Sequence, residues 1–119
     1  MATASMTTIT SGGRAEYSLT FDTTNTGRGG ADVYIPAAAK GVMVIYKGTS
    51  TASLTVAYTA STVAEIVAGT AVWLTTGTAS TGGTSQRVDF AVPPTAIAPQ
   101  IGTGLAGNQG YIAITAALV

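Results

Sequence analysis

The side chains of this chain that could do chemistry are few and dispersed. Five carboxylates (Glu16, Asp22, Asp32, Glu65 and Asp89) are balanced by five cations (Arg14, Arg28, Lys40, Lys47 and Arg87), and there is neither histidine nor cysteine. Imidazole and thiolate metal sites, histidine-dependent triads and disulfides are therefore absent. Hydrolysis by paired carboxylates needs two acids converging in one cleft. Here the acids are scattered, and Glu16, Asp22 and Asp89 fall on or beside predicted solvent faces. Oxygen-only metal binding needs clustered acids, and no Asp-rich loop occurs. We expect no metal, no cofactor and no enzymatic activity.

Gly102, Gly104 and Gly107 spell GxGxxG, the spacing that lets a pyrophosphate approach the N-terminus of a helix. Downstream of it come Asn108, Gln109, Gly110 and a β-patterned segment, with no helix and no acidic residue at the distance that would hold a ribose. The motif reads as a loop. Nucleic-acid binding calls for a basic patch to neutralise phosphates, and five cations in a neutral chain do not supply one. Arg28, in the Gly-rich stretch TTNTGRGG, is a candidate to meet an acidic group on a partner or to lie in water. Among the aromatics, Tyr17 and Tyr58 fall on core faces by alternation. Tyr34, Tyr46, Trp73 and Tyr111 remain as candidates for stacking on a sugar or for packing in the core or against another subunit.

The frame that must position these groups is a single small domain, since 119 residues are too few for two independent cores. Thr, Ala and Gly make up nearly half of it, 46% of the residues are hydrophobic, and only 8% are charged, against about 25% in an average soluble domain. Such a chain has ample apolar surface to bury and no self-repulsion, so it folds. By the surface scaling law its exterior carries about one charge per ~600 Å². That spacing is comparable to the largest apolar patch on a typical monomer, so we expect self-association. No basic, then apolar leader occupies the first thirty residues and no long apolar run occurs, so we expect a chain that starts near Met1 and does not insert in a membrane.

Short Val/Ile/Tyr/Thr runs alternate with Gly, Ser, Thr and Pro clusters about every ten residues, which predicts an all-β, antiparallel, single-domain β-sandwich of jelly-roll type with about eight short strands. Tyr17, Leu19 and Phe21 alternate with Ser18, Thr20 and Asp22. So do Leu54, Val56 and Tyr58 with Ser53 and Thr55, and Val88, Phe90 and Val92 with Arg87 and Asp89. Ile112, Ile114 and Leu118 predict a core strand at the C-terminus. Asp32–Ile35 reads as a short edge strand stopped by Pro36. Val42–Tyr46 and Ala71–Leu74 are apolar on both faces, so their second faces need cover from another subunit, a crossing loop or the segment Thr62–Ala68, itself a helical turn or a strand. Thr23–Gly30, Thr76–Ser85 and Gly102–Gly110 read as loops, and Gly48–Thr51 as a hairpin. Residues 1–12 form a polar N-terminal arm or first strand, and 13–119 the sandwich.

In style the chain resembles the small head decoration, or cement, proteins of tailed bacteriophages. The likeness rests on MATASMTTITSGG at the start, on Gly/Thr stretches such as TGTASTGGTS, and on a strand-rich body ending in GYIAITAALV. Many of those proteins have a mixed α and β fold, from which the all-β reading departs. The resemblance implies a virion structural protein, made in the host cytoplasm, that binds the major capsid protein on the outer surface of the shell as a homo-oligomer, often a trimer, and holds neighbouring capsid subunits together. The sparse, balanced charge and the lack of a long apolar run lead us to expect no nucleic-acid or membrane partner. Candidate contacts with the capsid or with other copies are Thr7, Thr8, Ile9, Arg14, Arg28, Met43, Ile45 and Trp73. Two other readings fit the same composition: a carbohydrate- or receptor-binding sandwich such as a fibre tip, and a tail or filament subunit.

Overall fold

The computed structural model of the chain describes residues 3–22, 27–28, 32–48, 53–81, 83–103 and 109–119. Strand β1 (Thr3–Ser11) turns through Gly12 and Gly13 into β2 (Arg14–Asp22), with Ser11 opposite Arg14. Both glycines have positive φ, +61° and +78°, as a two-residue type I′ turn demands, and only glycine takes up that geometry without steric cost. After β3 (Gly27–Arg28) and β4 (Val33–Tyr34) come β5 (Gly41–Gly48) and β6 (Ser53–Thr59), a short helix α1 (Val63–Ala68), then β7 (Leu74–Ser80), β8 (Ser85–Phe90), β9 (Ala96–Thr103) and β10 (Gln109–Ala117).

The strands form two antiparallel sheets, ordered β1-β2-β10-β5-β8 and β3-β9-β6-β7, with β4 also paired to β9. Pairing is nested. β2 joins β10, β3 and β4 join β9, β5 joins β8, and β6 joins β7, as in a long hairpin wrapped into two layers. That connectivity is the jelly roll. The described residues contain ten strands rather than about eight: β1 extends one edge, and two short described strands, β3 and β4, both pair with β9. Between the sheets lies a core of Leu19, Val44, Tyr46, Ile112 and Ile114 from one layer and Val33, Leu54, Val56, Ile97 and Ile101 from the other. Tyr17, Tyr58 and Phe90 pack on its margin. Period-two alternation is the cause in each strand.

Several connections differ from the sequence-based expectation. Gly48–Thr51 does not join a hairpin, since β5 and β6 belong to different sheets, and residues 49–51 themselves lie outside the described residues. Within Thr23–Gly30, Gly27 and Arg28 form β3, and the rest of that stretch lies outside the described residues. Thr76–Ser80, expected in a loop, continues β7 as far as Ser80. The Ser80 hydroxyl there accepts a hydrogen bond from Gly48 N–H at 3.0 Å and donates to the Thr84 carbonyl, which ties the end of one sheet to the other. Gly102–Gly110 begins and ends inside β9 and β10, while 104–108 lie outside the described residues. Val92 lies beyond the end of β8 and is 84% exposed. Within Ala71–Leu74 only Leu74 is in a strand.

Thr62–Ala68 resolves as a helical turn. A capping box starts it, Thr62 Oγ1 accepting from Glu65 N–H at 3.2 Å and Glu65 Oε1 accepting from Thr62 N–H at 2.9 Å, and Gly69 at φ +77° ends it. The Thr62 hydroxyl also donates to Glu65 Oε1 at 3.0 Å, and the carboxyl is held below its ordinary pKa by the Thr62 N–H first and by this hydroxyl second. No residue of the helix is buried, so it does not serve as cover for β5.

One strand escapes the sequence patterns altogether. β9 is central, flanked by β6 and by β3 and β4, yet it contains Pro99. On the β3–β4 side the described pairings involve Gln100 and Ile101, then Ala96 and Ile97. Pro99 lies between these two described pairings, and the residues that follow Arg28 opposite it, 29–31, lie outside the described residues.

Candidate functional site

Two surfaces collect the residues singled out by the sequence, and they lie on opposite sides of the sandwich. The first is the outer face of the sheet β1-β2-β10-β5-β8. Registers across β1, β2, β10, β5 and β8 align Ile9, Glu16, Thr115, Met43 and Asp89 in one row. The next row aligns Thr7, Ser18, Ala113, Ile45 and Arg87. A third brings Thr20, Tyr111, Lys47 and Ser85 together. Because Val42, Val44 and Tyr46 take the core side of β5, Met43 and Ile45 are left on this face, half-buried and 38% exposed respectively. Ile9 is 53% exposed, and it borders a shallow hollow with Glu16, Ser18, Tyr111, Ala113 and Thr115.

Charge on this face is largely compensated within it. Arg87 Nε lies 3.1 Å from Asp89 Oδ1, and Arg14 Nε lies 3.6 Å from Glu16 Oε2. Both pairs are solvent-exposed and are worth at most about 1 kcal/mol each. Their consequence is a face of low net charge, on which Ile9, Ile45 and Tyr111 stand among hydroxyls and short ion pairs.

The second surface lies on the outside of the other sheet. Arg28 pairs with Gln100 and Tyr34 with Ala96, both on that outer side. The Arg28 guanidinium stacks over the Trp73 ring at 4.1 Å from its centroid and donates to Asp32 Oδ1 at 3.2 Å. Trp73 is placed just before β7 by its neighbour Val72, whose carbonyl accepts from Thr59 Oγ1 at 2.7 Å and whose N–H donates to Ser61 Oγ at 3.0 Å. Between these edges Ala57, Ala96 and Ala98 point away from the core and are nonetheless buried. Replacing Arg28 with alanine should unstack the ring. Trp73 is the chain's single tryptophan, so its fluorescence should move to longer wavelength and become easier to quench, with a stability loss of about 0.5–1 kcal/mol. Unchanged emission would show that the stack is not maintained in solution.

Of the eight candidate contacts, Ile9, Arg14, Met43 and Ile45 therefore share one face, and Thr7 is in register with Ser18 on it. Thr8 is opposite Tyr17 and exposed on the sheet's edge strand. Arg28 and Trp73 lie across the molecule, and the charge of Arg28 is already engaged by Asp32 and Trp73. Tyr46 is no surface aromatic: it is fully buried, and its hydroxyl donates to the Thr78 carbonyl at 2.6 Å. Glu16, Asp32, Asp89 and Tyr111 complete the two surfaces. Alternation already puts Glu16 and Asp89 on or beside solvent faces and leaves Tyr111 as a candidate, but it does not show which residues they stand beside, because those neighbours come from strands distant in sequence. Among the described residues, no group of three or more acidic, histidine or cysteine side chains gathers to hold a metal, and no helix is long and apolar enough to cross a membrane.

No protein-family model matches the chain, and no curated protein does. Among solved structures, the SPBc2 prophage-derived protein YomS superposes with a TM-score of 0.52 at 10% identity, over 98% of this chain and 96% of that one. A chain from Bacillus endospore appendages, described as disulfide-linked pili, gives 0.46 at 16% identity over 100% and 92%. Oxalate oxidase in complex with the substrate analogue glycolate gives 0.48 at 11% identity over 96% of this chain and 50% of the other. The chain thus spans about half the length of the oxalate oxidase chains it matches. The likeness to YomS shows the fold, a β-sandwich matched nearly end to end, and at 10% identity nothing finer.

Proposed function

We propose that this chain is a non-enzymatic virion structural protein, a decoration subunit that binds the outer surface of a tailed-phage capsid as a homo-oligomer and stabilises the shell. One observation carries the reading: the outer face of the sheet β1-β2-β10-β5-β8 is broad, low in net charge and studded with Ile9, Met43, Ile45 and Tyr111. Five strands at about 4.8 Å and up to nine residues at about 3.4 Å make a face of roughly 700 Å², close to the ~800 Å² per partner of a standard interface. Clamping needs no reactive group. It needs complementary surface repeated by symmetry, so that modest contacts reinforce one another.

The test is co-sedimentation of the purified chain with empty capsid shells of the phage that encodes it. We expect saturable binding and a higher temperature of shell rupture. Ile45→Lys places a second cation opposite Arg87 at the centre of the face without touching the core, and should weaken binding by at least about tenfold, the loss expected from one desolvated charge without a partner. Shells that neither bind the chain nor gain heat resistance would reject the proposal. The carbohydrate reading has less support, because the ring of Trp73 is engaged by Arg28 and Tyr46 is in the core. Reproducible glycan-array binding lost on replacing Tyr34 or Trp73 would restore it.

A further inference from the structure

The sandwich has several sheet edges, and most carry a feature that discourages pairing with another chain. β8 bears Arg87 and Asp89, β4 is two residues long, and β7 is broken by Gly77 at φ +95° and by a register shift against β6. β1 carries none. It runs for nine residues, TASMTTITS, without a charge, a proline or a glycine, and among the described residues it is paired only to β2. An edge of this kind is a template for strand addition.

We infer that β1 pairs antiparallel with β1 of a second copy of this chain, about a twofold axis at Thr7, which joins the two five-stranded sheets into one. The hairpin fixes which groups are free to do this. Gly12 and Gly13 make a tight turn, so Ser11 and Arg14 form its hydrogen-bonded closing pair. By antiparallel alternation Thr3, Ser5, Thr7 and Ile9 then bond to β2, while the N–H and C=O groups of Ala4, Met6, Thr8 and Thr10 look outward. A twofold at Thr7 sets Met6 against the partner's Thr8 and Ala4 against the partner's Thr10, so outward groups meet outward groups. A second copy is the occupant because an uncharged strand meets no like-charge repulsion against itself, and such an interface is self-complementary by symmetry. The inference rests on the homo-oligomer part of the proposed function and is independent of the shell.

The chain has no native cysteine, so single introduced cysteines report without background. Across the proposed axis the two Thr7 Cα atoms lie about 4.5 Å apart, within disulfide reach. Under mild oxidation Thr7→Cys should give a covalent dimer in high yield, and the exposed Thr81→Cys should not. In sedimentation the parent chain should reach a dimer. Thr8→Pro removes an outward N–H that β2 does not use, and should weaken dimerisation by about tenfold or more. Thr8→Lys, which leaves every backbone N–H in place, should do the same through charge repulsion at the joint. A monomer at all concentrations, a trimer, equal cross-linking at Thr7 and Thr81, or an oligomer indifferent to both Thr8 variants would overturn the inference. A β1-linked dimer that ignores shells would leave it standing and reject only the decoration role.

Discussion

Gly77→Ala should lower stability by about 2–4 kcal/mol, the sum of a strained positive φ and an overpacked core, and the melting temperature by roughly 10 °C. Gly77 sits in β7 at φ +95°, where a Cβ would run into the hydroxyl of Tyr46 and come within 2.7 Å of Val88 Cγ2. Neither neighbour is free to retreat, since Tyr46 is wholly enclosed and Val88 packs against the core. The two positions are therefore coupled. Tyr46→Phe removes the first obstacle, so it should cost about 1 kcal/mol in the parent chain through its lost hydrogen bond, yet recover part of the Gly77→Ala loss in the double variant. Urea unfolding of the four proteins checks this. Additive losses would place the damage in backbone strain alone.

The larger effect belongs to Tyr46→Ala, which should cost about 3–5 kcal/mol by opening a cavity in the core between the two sheets. The same phenol sets an alkaline limit. Burial raises its pKa above the ordinary tyrosine value because the phenolate would be stripped of water. A group that holds its proton more tightly when folded contributes its stability in full below the unfolded value, about pH 10, and that contribution is lost as pH rises toward the folded one. Chemical denaturation from pH 8 to 11 should therefore show stability falling above about pH 10, with a shallower fall in Tyr46→Phe. Identical slopes would mean that Tyr46 ionises freely in the folded state.

Strand identity was readable wherever a polar face alternates with an apolar one. Leu19, Leu54, Val56, Ile112 and Ile114 are in the core as their alternation predicts. Pro36 follows a short edge strand. The pattern failed for β9, where Ala96, Ala98 and Pro99 are small or rigid and both faces are covered, so no contrast remains to be read. It failed for Thr76–Ser80 because Thr and Gly serve strands and turns equally well in a chain so rich in both. In Val42–Tyr46 the two apolar faces were plain, but only the packing of the second sheet decided that Val44 and Tyr46 go inside and Ile45 stays outside.

The sequence by itself determined the material: an all-β domain, sparsely charged, without histidine or cysteine, with its strands punctuated by glycine and proline. The tertiary structure decided everything that depends on partners distant in sequence. That includes the passage of β5 into a different sheet from β6, the meeting of Arg28 with Asp32 and Trp73, and the gathering of Ile9, Met43 and Ile45 on one face. The reason is physical. Alternation is written in neighbouring residues, whereas pairing and register are selected by contacts that repay the entropy of closing long loops only when the whole sandwich forms.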